Sequence, residues 1–198
     1  MTKNRLEAFS DGVLAIIITI MVLELKVPHG NDLRDLQPLI PTFLSYVLSF
    51  IYIGIYWNNH HHLLHVVRNI NGKSMWANLH LLFWLSMVPF ATAWMGENHF
   101  GQWPVIIYGF VMIMAAIAYT ILVWALSNHG KDNKELSEAL GKDWKGKLSI
   151  ATYMLAIVLA FVHTAISLSL IALVAAIWFV PDSRVEKRLQ NQTPDINS

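Results

Sequence analysis

Five stretches of this chain contain no Asp, Glu, Lys or Arg: 12–23, 36–67, 74–96, 98–130 and 148–181. They constrain the fold more than any other feature, because those four residue types are the ones a bilayer core rejects most strongly. The whole chain is 55% hydrophobic and only 14% charged. A domain of this size leaves about a quarter to a third of its surface exposed, so one small core cannot hide that much apolar area from water. Lipid is the solvent that fits, and the fold class is an all-α integral membrane protein.

The lengths of the stretches set the number of crossings. The first, at twelve residues, is short for a span and has the length of a signal-peptide core. It is followed by Glu24, Leu25, Lys26, Val27 and Pro28 and not by a small-residue cleavage site, so a helix over 5–27 is expected. The second stretch gives a lead-in over Pro38 and Pro41 and a helix over 40–67; the third gives one crossing over 74–96. The fourth opens on a turn from Gly101 to Pro104 and continues as a helix over 103–127. The fifth has 34 residues. As one helix it would be about 50 Å long, well beyond a hydrocarbon core of about 30 Å. It is expected to fold back at His163, Thr164 and Ser167, giving helices over 149–162 and 166–180. The expected organisation is six transmembrane helices in one domain over 1–182, a short solvated helix over 133–147, and a polar cytoplasmic tail over 183–198.

Charge placement favours six crossings. With an even number, the N-terminus, the loop after the second helix, the loop after the fourth and the tail share one side, and twelve of the fourteen Lys and Arg fall there; only Lys26 and Arg34 lie opposite. Five crossings would divide them nine against five. The positive-inside rule then puts both termini in the cytoplasm. There is no cysteine, which excludes disulfides, thiolate metal sites and cysteine nucleophiles.

The first helix opens Arg5-Leu6-Glu7-Ala8-Phe9-Ser10-Asp11. Ser10 or Asp11 at a helix start could be an ordinary N-cap. An Arg and an Asp entering a membrane helix are nonetheless costly unless they pair or touch water. The Arg-x-x-x-Phe-Ser-Asp pattern resembles the opening of the transmembrane protein 175 potassium channels in their prokaryotic form. Looser similarity continues at Trp57 with His60 and His61, at Asn78, at Pro89-Phe90-Ala91-Thr92 and at Pro181-Asp182.

That resemblance implies a homotetramer in the cell membrane, with the first helix of each subunit lining a central pore narrowed by apolar side chains. It also implies no carbonyl-lined filter, and the sequence contains no Thr-Val-Gly-Tyr-Gly. Counted from Asp11, the family's pore-facing positions fall on Ile16, Thr19 and Leu23, with Ile20 alongside. The residues alone do not choose this face, since 12–23 is apolar all round apart from Thr19 and such a stripe is commonly lipid contact or packing. With the resemblance, Ile16 is expected to gate by dewetting and Thr19 to replace part of the potassium hydration shell. Arg5, Phe9, Ser10 and Asp11 are assigned to holding the pore helix, with Trp57, His60, His61 and Asn78 as candidate partners. The permeant ion is potassium; no cofactor, resident metal or nucleic-acid partner is expected.

Histidine supports a second reading. His60, His61, His62 and His65 cluster near the end of the second helix. His61 and His65, one turn apart, could clamp zinc, copper or haem iron, with His80 or His163 completing the site; the protein would then be a metal transporter or a membrane redox protein. No Asp or Glu accompanies that cluster. A Ser10–Asp11–His triad lacks any nucleophile-elbow context, so no enzyme is expected.

Overall fold

The computed structural model describes residues 2–67, 69–127 and 144–179. Seven α-helices occur among them: α1 (Lys3–Leu23), α2 (Ile40–Val66), α3 (Gly72–Ser86), α4 (Val88–Glu97), α5 (Gln102–Ser127), α6 (Trp144–Ala160) and α7 (Thr164–Phe179). Among the described residues, four helical segments are long and apolar enough to cross a bilayer: Lys3–Leu23, Leu33–Val66, Gly72–Glu97 and Gln102–Ser127. Thr164–Phe179 is a shorter apolar helix. Most of the expected surface helix over 133–147 and all of the tail over 183–198 lie outside the described residues.

A 3-10 helix, Leu33–Leu39, leads into α2, and its entry is fixed by a reciprocal capping box between Asp32 and Asp35. Pro41 then occupies the first turn of α2, where its missing N–H has no intrahelical partner to lose. Asn71 caps α3 by accepting the Ser74 N–H at 2.8 Å.

The span expected over 74–96 is two helices joined at Met87. Pro89 in the first turn of α4 explains the joint. It cannot donate to the carbonyl four residues back, and its ring clashes with that carbonyl, so the helix bends just ahead of it. A turn with positive φ at His99 (50°) and Phe100 (58°) reverses the chain into α5.

Within the chain α5 is a hub, packed against α3, α4, α6 and α7. Small residues allow close approach: a Cβ added at Gly109 would lie 3.0 Å from Ile157 of α6, and one at Gly96 of α4 would lie 2.6 Å from the Thr42 backbone of α2. Lipid tails are as apolar as side chains, so such close packing and hydrogen bonds between helices hold membrane bundles together. Ser49 of α2 lies 2.6 Å from the Thr92 hydroxyl of α4 and 3.0 Å from the Tyr108 hydroxyl of α5. Tyr52 donates to the Ile171 carbonyl of α7. α6 and α7 form a hairpin whose turn ends at His163, where Nδ1 accepts the Ala165 N–H at 3.2 Å.

Candidate functional site

α1 has two unlike faces. Leu6, Ser10, Leu14, Ile17 and Met21, at spacings of three and four residues, are buried against the other helices. On the opposite side Ile16 is 58% exposed, Leu23 79% and Ile20 42%, and Thr19 is exposed as well. Gly12 lies on this outer side, and a Cβ placed there would meet no atom within 4 Å. The four candidate pore residues therefore share the uncovered side, though Ile20 turns toward a groove lined by Pro89, Phe90, Ala93 and Trp94. Thr19 donates its hydroxyl proton to the Ile16 carbonyl at 2.8 Å. Its oxygen lone pairs are what it offers to anything outside the helix.

Two polar systems hold the buried face. The first is a ladder between the antiparallel helices α1 and α2. Lys3 Nζ donates to the His65 carbonyl at 3.4 Å, His61 Nδ1 to Glu7 Oε1 at 3.0 Å, and Trp57 Nε1 to Asp11 Oδ1 at 3.0 Å. Each rung steps four residues forward on α1 and four back on α2, so one face of each helix carries all three. Trp57, His61 and His65 also stack along α2, with ring centroids 6.3 Å apart at each step.

The second system is a buried relay. Ser10 Oγ donates to the Leu6 carbonyl at 2.8 Å and receives Asn78 Nδ2 at 2.9 Å, while Asn78 Oδ1 meets His60 Nε2 at 2.7 Å. Ser10, His60 and Asn78 are all buried. Asn78 thus joins α1, α2 and α3 at one point.

The structure brings Ser10 together with Asn78 and His60, and Asp11 together with Trp57. It pairs His61 with Glu7, a residue the sequence reading passed over. Glu7 carries a signal in retrospect, since it stands one turn before Asp11 just as His61 stands one turn after Trp57. Phe9 is 49% exposed, and the Arg5 side chain makes no hydrogen bond or ion pair to any described residue. Ser10 and Asp11 are not caps: α1 begins at Lys3 with Thr2 as its N-cap, so both lie two turns inside the helix.

The histidines do not assemble. His61 Nδ1 is taken by Glu7, His80 Nε2 accepts from Trp84 Nε1 at 3.0 Å, and His163 serves the turn before α7. Among the described residues no group of three or more His, Asp or Glu is placed to hold a metal ion.

Apolar helices joined by buried polar contacts, with one helix bare along an apolar face, define a helical membrane protein. The family model described as the endosomal/lysosomal potassium channel TMEM175 matches residues 5–89. A potassium channel of a Chryseobacterium species is 56% identical over 190 residues, spanning 96% of this chain and 99% of the relative. A potassium channel of Streptomyces collinus is 32% identical over 184 residues, spanning 87% and 89%. A crystal structure of a lysosomal potassium-selective channel TMEM175 homolog from Chamaesiphon minutus superposes with a TM-score of 0.78 at 27% identity, over 96% of this chain and 98% of that one. The chain belongs to the TMEM175 family.

Proposed function

We propose that this chain is one subunit of a homotetrameric potassium channel in the cell membrane, with α1 of each subunit lining the pore. The names of its relatives support the ion. The observation that carries the pore assignment is the bare stripe of Ile16, Thr19 and Leu23 on a helix whose other face is fully engaged. In this reading α3 and α4 form a single kinked crossing, six crossings make the domain over 1–182, and both termini are cytoplasmic. The distribution of Lys and Arg supports that orientation.

Ile16 rings form the constriction. A narrow apolar ring sheds water and blocks ions, and a small rotation of α1 that widens it lets water and ions return. Thr19 acts one turn further along. Its proton is committed to the Ile16 carbonyl, so four Thr19 oxygens would face the axis as acceptors, a lining that suits a cation. Potassium sheds water more readily than sodium and passes at lower cost. The ladder and the relay hold α1 against α2 and α3 and do not touch the ion.

The experiment is potassium flux into liposomes containing purified protein, with sodium controls, for wild type and Ile16→Asn. Flux faster for potassium than sodium in wild type, and raised or less selective flux in the variant, is the expected result. Equal flux and selectivity in both proteins would move the gate off Ile16.

A further inference from the structure

Toward the end of the bundle where α2 and α5 finish and α6 begins, a cleft of about 460 Å³ lies between α2, α5 and the α6–α7 hairpin. Its walls include Tyr52, Tyr56 and Asn59 of α2, Tyr119 of α5, Tyr153 of α6 and Trp178 of α7. The polar ends of these side chains are turned into the protein. Tyr52 donates to the Ile171 carbonyl, Tyr119 to the Asn59 carbonyl at 3.2 Å, Asn59 Nδ2 to the Ile55 carbonyl at 2.8 Å and Trp178 Nε1 to Ser149 Oγ at 2.8 Å. Donors committed in this way leave mostly ring carbon facing the space, and a space lined by carbon does not hold ordered water. An apolar occupant fits it.

The rim has the opposite character. Lys145, beside the lining residue Gly146 at the start of α6, holds its ammonium 5.9 Å from the centre of the Trp178 ring. Ser149 donates to the Lys145 carbonyl at 2.8 Å and accepts the Trp178 N–H, so a locked indole borders both the cation and the cleft. Thr120, which also lines the cleft, is exposed on the outside of α5 and gives its proton to the Ala116 carbonyl at 3.0 Å.

We propose that this cleft binds one anionic phospholipid, with an acyl chain between the tyrosine rings and the phosphate group beside Lys145. Basic pockets between transmembrane helices on the cytoplasmic side hold anionic headgroups, and the orientation proposed above puts Lys145 on that side. A void leaves the residues around it without dispersion partners on one face, and a slender hydrocarbon restores them without needing a hydrogen bond. The site is built from α2 and α5 to α7, so it stands whichever face of α1 lines the pore.

The test titrates the purified, delipidated full chain in detergent with dioleoylphosphatidylglycerol, dioleoylphosphatidylcholine or inorganic phosphate. Bound lipid is counted by native mass spectrometry and stability is read as melting temperature. Wild type, Lys145→Gln, Lys147→Gln and Ala116→Phe are compared. Lys147 carries the same charge as Lys145 but lies two residues on, toward the other side of α6, and is exposed. Ala116 lines the cleft, and Phe there takes up its volume. Wild type is expected to bind phosphatidylglycerol about fivefold more tightly than phosphatidylcholine, the ratio one basic residue gives at a membrane surface, and to gain no stability from phosphate alone. Lys145→Gln is expected to lose that preference and Lys147→Gln to keep it, while Ala116→Phe weakens both lipids by about tenfold or more because the ring clashes with the chain. Equal binding of the two lipids by wild type, or equal losses from the two lysine variants, marks lipid held by general contact or charge and overturns the inference. Stabilisation by phosphate alone assigns the site to a free anion and overturns it, as does undiminished lipid binding in Ala116→Phe. Should Ala116→Phe fail to assemble, Thr120→Phe narrows the entrance from its exposed edge and is expected to weaken both lipids; undiminished binding in that variant overturns the inference.

Discussion

Trp57 Nε1 donates to Asp11 Oδ1 at 3.0 Å, and this bond joins the first two helices two turns inside α1. A hydrogen bond to a charged group contributes about 1.5–3 kcal/mol, less where water competes. Both residues are reached by solvent in the isolated subunit. Trp57→Phe keeps an aromatic ring in the stack with His61 and removes the donor. We expect a loss of about 1 kcal/mol, read as a fall of about 2–4 °C in the melting temperature of the detergent-solubilised protein.

Asn78→Ala is expected to be more damaging than Ser10→Ala. Removing the amide leaves two buried groups, His60 Nε2 and Ser10 Oγ, without their partner, each at about 1–3 kcal/mol, whereas removing the Ser10 hydroxyl leaves only the Asn78 amide hydrogen behind. The comparison is made by melting temperature and by the yield of folded protein. Equal losses from the two substitutions would show that Asn78 does not link the three helices.

Two glycines on different faces give opposite expectations. A Cβ at Gly96 would lie 2.6 Å from the Thr42 Cα, so Gly96→Ala must push α4 away from α2, at a cost of about 1–3 kcal/mol in a packed interior. At Gly12 nothing lies within 4 Å. Gly12→Ala leaves the fold of the subunit intact and gains helix propensity, so its melting temperature holds or rises. A change in potassium flux with that substitution then reports contacts beyond the subunit, as a pore or subunit interface at α1 requires.

Lys26 pairs with Glu97 just beyond the C-terminal end of α1, and the carboxylate's hydrogen bond and charge hold the ammonium protonated above its usual 10.5. A group whose basicity rises on folding contributes stability that is fully present below its unfolded value and is lost as pH climbs through the folded one. The pair is exposed, so its contribution is small at neutral pH. Lys26→Gln is expected to leave the melting temperature unchanged near pH 7 and to remove part of the decline above about pH 10.5. A variant with the same alkaline profile as wild type would show that the contact does not persist in solution.

Absence of charge made the membrane-facing segments legible, because the bilayer excludes charge whatever the neighbouring helices do. The same signal is blind to bends. The stretch around Met87 is apolar on both sides of the joint, and the residue that bends it, Pro89, stood in view as part of a motif without being read as a kink. Within the site, Ser10 and Asp11 drew attention because polar groups at membrane depth need partners. Glu7 did not, because it sits near a helix start where carboxylates are ordinary. Its pairing with His61 follows from the register of α1 against α2, which depends on how the two helices slide past each other. Likewise, no property of His60 alone reveals that one ring nitrogen is bound and the other bare; that follows from a chain of donors running through Ser10 and Asn78.

All the side-chain hydrogen bonds and ion pairs by which described residues tie α1 to its neighbours leave from Lys3, Glu7, Ser10 and Asp11. From Gly12 to Leu23 the helix is held by dispersion contacts through Leu14, Ile17 and Met21. α1 is therefore a cantilever, rooted by directional bonds and held beyond them by apolar packing alone. From Asp11 to Leu23 the arm measures about 18 Å, so a tilt of about three degrees at the root displaces the tip by about 1 Å without breaking a single hydrogen bond.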